Sequence, residues 1–178
     1  MNTKESLRSR YRHERQERYV EHNFEILLET PEIQRAHVIA SYHSYGFEPD
    51  TNLINQKLIE AGKTLLLPRT TTGNIEWVRW DGQVESLTLH KKFKEPMGEA
   101  ESNLSLIDVV LVPALRVDRE GVRLGQGGGF YDRALPEINA WKIALIHPDE
   151  LSGDSLPEDP WDVRVNAVAT PDLILRIN

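Results

Sequence analysis

Between His37 and Pro68 the chain reads strand, helix, strand with short joints, and no other stretch restricts the fold as tightly. His37 to Ser44, with Val38, Ile39, Ala40 and Tyr42, has the composition of a strand. Tyr45 to Asp50 is a turn, after which Asp50 or Thr51 caps a helix carrying Leu53, Ile54, Leu58 and Ile59. Gly62 stops that helix, and Lys63 to Pro68, centred on Leu65, Leu66 and Leu67, is a second buried strand. A βαβ unit of this kind requires parallel strands and a right-handed crossover.

The other segments extend that design. Lys4 to Glu29 reads as one long helix, capped by Asn2 or Thr3 and closed before Pro31. Leu7, Tyr11, Phe24, Leu27 and Leu28 supply its apolar face, while Lys4, Arg8 and Arg12, four apart, form a basic stripe. On charge pattern alone the stripe is a solvated face paired with Glu5 and Glu14. Ile75 to Trp80 is expected to be a hairpin arm or edge extension, and His90 to Gly98 a loop. Asp108 to Val112, Trp141 to His147 and Val163 to Thr170 read as further strands. Pro148 to Pro160, rich in proline and acid, reads as a surface loop, and Asp172 to Ile177 as a tail. Strands alternating with helices predict a three-layer, Rossmann-like α/β domain with a mainly parallel sheet and an N-terminal helix. At 178 residues the chain fits a single domain over 1–178.

The apolar run Val109 to Val112 leads toward Arg123-Leu124-Gly125-Gln126-Gly127-Gly128-Gly129-Phe130-Tyr131-Asp132-Arg133, which holds four of the eleven glycines. Glycine lets the backbone take positive φ and clears side chains away from its N–H groups. A run of such groups ending at a helix start is a concave anion site, and Arg123 and Arg133 add charge, so phosphate is the expected ligand. A dinucleotide fingerprint would need glycine at Phe130, and a P-loop would need Gly-Lys-Ser/Thr closing the loop; neither is present. The one Gly-Lys-Thr, from Gly62 to Thr64, precedes an apolar run and reads as a helix stop. In open α/β sheets ligands collect at the carboxyl ends of the strands, so the Glu48 turn and the glycine loop are expected to face one cleft.

Charge and composition exclude several classes. A net charge of −7 argues against a general nucleic-acid binder. The absence of cysteine removes disulfides, thiol catalysis and cysteine-ligated zinc. The polar stretch Met1 to Arg18 is neither a signal peptide nor a membrane span, so a cytoplasmic protein is expected.

Taken together, these stretches resemble the 5-formyltetrahydrofolate cyclo-ligases. The likeness covers nearly the whole chain in order. It takes in Lys4-x-x-Leu7-Arg8, Ser41-Tyr42-x-Ser44 leading to Glu48-Pro49-Asp50-Thr51, Leu67-Pro68-Arg69, Glu95-Pro96, Asp108 to Leu115 and the loop Arg123 to Arg133. The glycine loop is the most specific of them. The resemblance implies an enzyme that uses magnesium ATP to convert 5-formyltetrahydrofolate into 5,10-methenyltetrahydrofolate, releasing ADP and phosphate through a phosphorylated formyl intermediate. Phosphoryl transfer asks the protein mainly for positioning and charge neutralisation.

Carried over residue by residue, the resemblance implies that Lys4 and Arg8 hold phosphate. Arg123, Leu124, Gly125, Gln126, Gly127, Gly128, Gly129, Phe130 and Tyr131 then form the ATP-binding loop, with Arg123 and Tyr131 as catalytic groups. Asp132 and Asp162 are the implied magnesium ligands, since a hard cation takes oxygen. For the reduced folate the implied partners are Glu48, whose carboxylate can pair with the donor edge of the pterin, His43, and Gln126 to Phe130. Three positions depart from the family's pattern: His147, Glu150 where glutamine is usual, and Trp161 where histidine is usual. A diverged member acting on another substrate is one alternative. A nonenzymatic nucleotide-binding module, which would not need the paired aspartates, is a second. A sugar-phosphate or acyl-transfer enzyme is a third, and it would leave Lys4 and Arg8 without a purpose.

Overall fold

The computed structural model describes residues 3–177. In chain order its elements are α1 (Lys4–Arg18), α2 (Pro31–Arg35), β1 (Val38–Ala40), α3 (Asn52–Glu60), β2 (Thr64–Thr70) and β3 (Ile75–Trp80), then β4 (Leu87–His90), β5 (Phe93–Pro96), β6 (Val109–Pro113), β7 (Arg116–Asp118) and β8 (Arg123–Leu124). The chain continues with α4 (Phe130–Ala134), β9 (Trp141–Leu145), β10 (Leu151–Ser152), β11 (Ala167–Ala169) and β12 (Ile174–Arg176). The central sheet runs β12-β11-β9-β6-β1-β2-β3. Its five inner strands are parallel, and β3 and β12 close the two edges antiparallel. The expected βαβ unit is β1-α3-β2, with Ile39 opposite Leu65 and Ala40 opposite Leu66.

Period-two alternation divides the core. Ile39, Leu65, Leu67, Leu111, Ile143 and Leu145 face α2, α3 and the turn holding Phe24 and Leu27. Ala40, Leu66, Val110, Val112, Ala144 and Ile146 face the other layer, with Val117, Leu135 and Ile138. The sheet grows from β1 to β2 on one side and from β6 through β9 to β11 on the other. The crevice at the carboxyl ends of β1 and β6 is therefore the switch point where ligands settle in such sheets.

Five expectations change. The N-terminal helix stops at Arg18, and a 3-10 turn, Glu25–Glu29, follows an extended joint. Leu7 packs with Val122, Leu124 and Leu156, whereas Phe24 and Leu27 belong to the large core, and one straight helix cannot serve both clusters. Of its two candidate caps, Thr3 accepts from Ser6 N at 3.2 Å, and Asn2 lies outside the described residues. The first strand is shorter than predicted. Beyond Ser41, whose N–H still donates to Leu66 O at 2.8 Å, the ladder is replaced by side chains of α3 and its cap, Thr51 Oγ1 donating to Tyr42 O at 2.6 Å and Asn55 Nδ2 to the same oxygen at 2.9 Å. His90 to Gly98 is no loop, because β4 and β5 pair there as a hairpin. The small sheet β10-β7-β8 was not expected, and neither was β12, which lies in the predicted tail.

Candidate active site

Helix α1 reaches the site through its basic stripe. Leu7 and the partly buried Tyr11 seat it on the small sheet, and Arg15, on the same side, makes a buried two-point pair with Glu150, Nε to Oε1 and Nη2 to Oε2 both at 2.6 Å. The stripe then lies over the glycine loop. Arg8 Nε donates to Gly125 O at 3.1 Å, and Arg12 Nε donates to Gln126 Oε1 at 2.9 Å. It is thus no solvated face, although Arg8 also lies 4.0 Å from Glu5 and Glu14 pairs instead with Arg10 and Arg116.

The glycines permit this approach. Gly127 has φ 103°, and a Cβ there would stand 3.4 Å from both Cδ and Nε of Arg8. A Cβ on Gly125 would meet Arg123 Nη1 at 2.6 Å, so a larger residue there would push the guanidinium from its place beneath the loop. Arg123 is 4% exposed in its side chain. It donates to Pro113 O at 3.1 Å and to Asp132 Oδ1 at 2.7 Å, and its guanidinium lies 5.8 Å from the Tyr131 ring centre.

Between the loop and the Glu48 turn lies a cavity of about 300 Å³. It brings together Arg8, Arg123, Gly125 to Asp132, His43 and Glu48, which are most of the residues proposed from sequence. Leu124 is buried behind the loop against Leu7. Lys4 and Asp162 stand outside the cavity wall, with the Lys4 ammonium clasped by Asp159 at 2.5 Å and by Asp162. Among the described residues no three histidine or carboxylate side chains gather as a ready-made metal site.

Glu48 is 7% exposed. Burial raises its carboxyl to about 7, and the Tyr45 N–H, donating to Oε2 at 3.2 Å, with the fields of Arg15 and Lys92, offsets that only in part. Tyr42 and Tyr131 have hydroxyls buried without a partner, and desolvation pushes both well above the ordinary phenol value. Burial likewise lowers His43.

Sequence reasoning missed the wall opposite the loop. Tyr45 and Phe93 meet edge to face with centres 4.9 Å apart, and with Lys92, Lys94 and buried Glu95 they line the cavity. The Glu95-Pro96 dipeptide was the one signal, and reading its surroundings as a loop hid it. Of the three departures, Glu150 is the buried partner of Arg15, His147 lies against Tyr19 with Nε2 2.9 Å from Phe47 O, and Trp161 is 68% exposed. No helix among the described residues is long and apolar enough to cross a membrane.

The model of the 5-formyltetrahydrofolate cyclo-ligase family matches residues 2–171. The 5-formyltetrahydrofolate cyclo-ligase of Escherichia coli K12 is 32% identical over 156 residues, covering 83% of this chain and 85% of that protein. Its namesake from Mycolicibacterium smegmatis is 35% identical over 142 residues, 75% of this chain and 73% of the other. The solution structure of Aquifex aeolicus 5,10-methenyltetrahydrofolate synthetase superposes with a TM-score of 0.81 at 25% identity, covering 98% of this chain and 92% of that one. With a family match over nearly its full length and the fold to go with it, the chain belongs to the 5-formyltetrahydrofolate cyclo-ligase family.

Proposed function

We propose that this protein catalyses the ATP-dependent cyclisation of 5-formyltetrahydrofolate to 5,10-methenyltetrahydrofolate, with release of ADP and phosphate. One observation carries the reading: a single cavity joins an anion cradle, built from glycine backbone with Arg8 and Arg123, to a buried carboxyl set among aromatic walls. The family's co-substrate is ATP, and the relatives named above give the substrate class.

A formamide oxygen is a poor leaving group and must be activated. In the proposed sequence the N5 formyl oxygen attacks the γ-phosphorus of ATP, the bond to the β,γ-bridging oxygen breaks, and ADP departs. N10 then attacks the formyl carbon and loses its proton. The carbon–oxygen bond to phosphate breaks as the five-membered ring closes. Arg8, Arg123 and the loop N–H groups are assigned to the phosphates, where charge builds. Lys4 joins this set by exchanging its carboxylate partners for a phosphate oxygen. Tyr131, held protonated by burial, serves as a hydrogen-bond donor and not as a base. Glu48 is assigned to the donor edge of the pterin, and His43 and Phe130 to its surroundings.

The acidic residues suit magnesium arriving with the triphosphate, because that ion takes one or two carboxylates together with phosphate oxygens and water. Asp132 lines the cavity beside the loop, and Asp162 becomes available when Lys4 turns away. Bound there, the ion would supply charge neutralisation on the transferring phosphoryl group. The test is the absorbance of the methenyl product with 5-formyltetrahydrofolate, magnesium and ATP, each omitted in turn. Product should form only with all three, and product without ATP, or none at all, would overturn the reading.

A further inference from the structure

The β4–β5 hairpin carries three lysines, and two of them belong to the cavity. Lys92 and Lys94 are exposed, yet both line it, so they sit at its mouth. The Lys92 ammonium rests 5.0 Å from the Tyr45 ring centre and 5.6 Å from that of Phe93, which holds it over the aromatic wall. Lys94 is close enough for its charge to act on His43, and Lys92 close enough to act on Glu48. Among the described residues no carboxylate lies within ion-pair distance of either lysine, although acidic side chains outnumber basic ones 28 to 21 in this protein. The turn itself is Lys91-Lys92, and Lys91 takes φ 57° where a tight hairpin favours glycine or asparagine. Unpaired positive charge at the rim of a largely apolar cavity calls for a ligand that brings its own anion and leaves it near solvent.

Resting on the reading of the substrate above, we propose that Lys92 and Lys94 recognise the glutamyl carboxylates of the reduced folate, selecting substrates by the anionic tail at the cavity mouth. The phosphates are served by the glycine loop on the facing wall and the pterin by Glu48 deep inside. The tail of a molecule placed that way emerges past the hairpin, where the two ammonium groups stand. Rim charges act mainly on encounter rate and on salt dependence, so the contribution is one of affinity for the tailed substrate and not of chemistry.

The experiment compares wild type with a Lys92→Gln/Lys94→Gln variant on 5-formyltetrahydrofolate and on the carboxamide of 5-formyltetrahydropteroate, whose tail carries no carboxylate. At low salt the variant should raise KM for the folate about five- to tenfold, with the gap narrowing as ionic strength rises. On the carboxamide the two proteins should have the same KM, and KM for ATP should not move. Lys91→Asn, which removes a lysine that does not line the cavity, should behave as wild type. An unchanged folate KM, or an equal rise on both substrates, would overturn the proposal while wild-type turnover upheld the reading of the reaction. A wild type that turned over neither compound would overturn both.

Discussion

Glu48 carries two demands that oppose each other. In the unfolded chain its carboxyl titrates near the ordinary 4.5, whereas in the fold burial raises it to about 7. Between those values the folded protein holds a proton that the unfolded chain has lost. The contribution is therefore complete below pH 4.5 and is lost as pH rises through about 7. At roughly 1.4 kcal/mol per pH unit the loss comes to about 3.5 kcal/mol. Glu48→Gln has nothing to titrate and keeps the acceptor for Tyr45 N–H. Compared by urea unfolding at about pH 5 and about pH 8, the variant should gain on wild type by that order, and parallel pH profiles would contradict the account. Binding runs the other way. If the carboxylate pairs with the pterin, wild-type KM for the folate should fall as pH rises through about 7, and the variant should show a flat, high KM. The residue was legible because Glu48-Pro49-Asp50-Thr51 follows a strand. Its depth was not, since nothing local announces that side chains of α3 and its cap would replace the β1 ladder and turn the segment inward.

At the scale of elements, regular patterns could be read and dependent ones could not. β1, α3, β2, β6 and β9 show in sequence because each has its own apolar periodicity. β7 and β8 do not, because they are short and hold buried charge: Arg116 pairs with Glu14, and Asp118 accepts from Glu120 N, Val122 N and Leu156 N. The extent of α1 was likewise decided elsewhere, by Arg15 and its partner Glu150 on a distant loop. That pair predicts a specific pattern of stability. Glu150→Ala leaves a guanidinium buried beside Ala114 O without its counter-ion and should cost about 3–5 kcal/mol in urea unfolding. Replacing both partners, with Arg15→Met and Glu150→Leu, should cost less than the single change, because no stranded charge remains. If the double variant were as unstable as the sum of its parts, the two side chains would not be acting as a unit. Through this pair the chain ties its N-terminal helix down with charge.

Across the whole molecule, the proposed phosphate site joins parts that the chain keeps far apart. Arg8 comes from α1, Arg123 and the glycines from the segment after the small sheet, and Asp162, with Lys4 on it, from the loop before β11. Such a site exists only in the folded chain, so nucleotide binding should be measurable as stabilisation of the entire fold. A ligand at one hundred times its dissociation constant adds about 2.7 kcal/mol, which for a chain of this size is a rise of roughly 5–11 °C in melting temperature. Magnesium ATP should produce a shift of that order in wild type. Arg8→Ala removes one proposed phosphate partner and the bond to Gly125 O together, and should lose most of the shift while lowering the ligand-free melting temperature only slightly. Asp132→Asn separates the ion pair with Arg123 from the proposed metal ligation. It keeps an acceptor for Arg123 but discards the charge a metal needs, so it should retain a shift with ATP alone and lose the extra increment from magnesium. Equal shifts with and without magnesium in wild type would remove Asp132 from the metal site. An unaltered shift in Arg8→Ala would show that α1 packs beside the nucleotide without holding it.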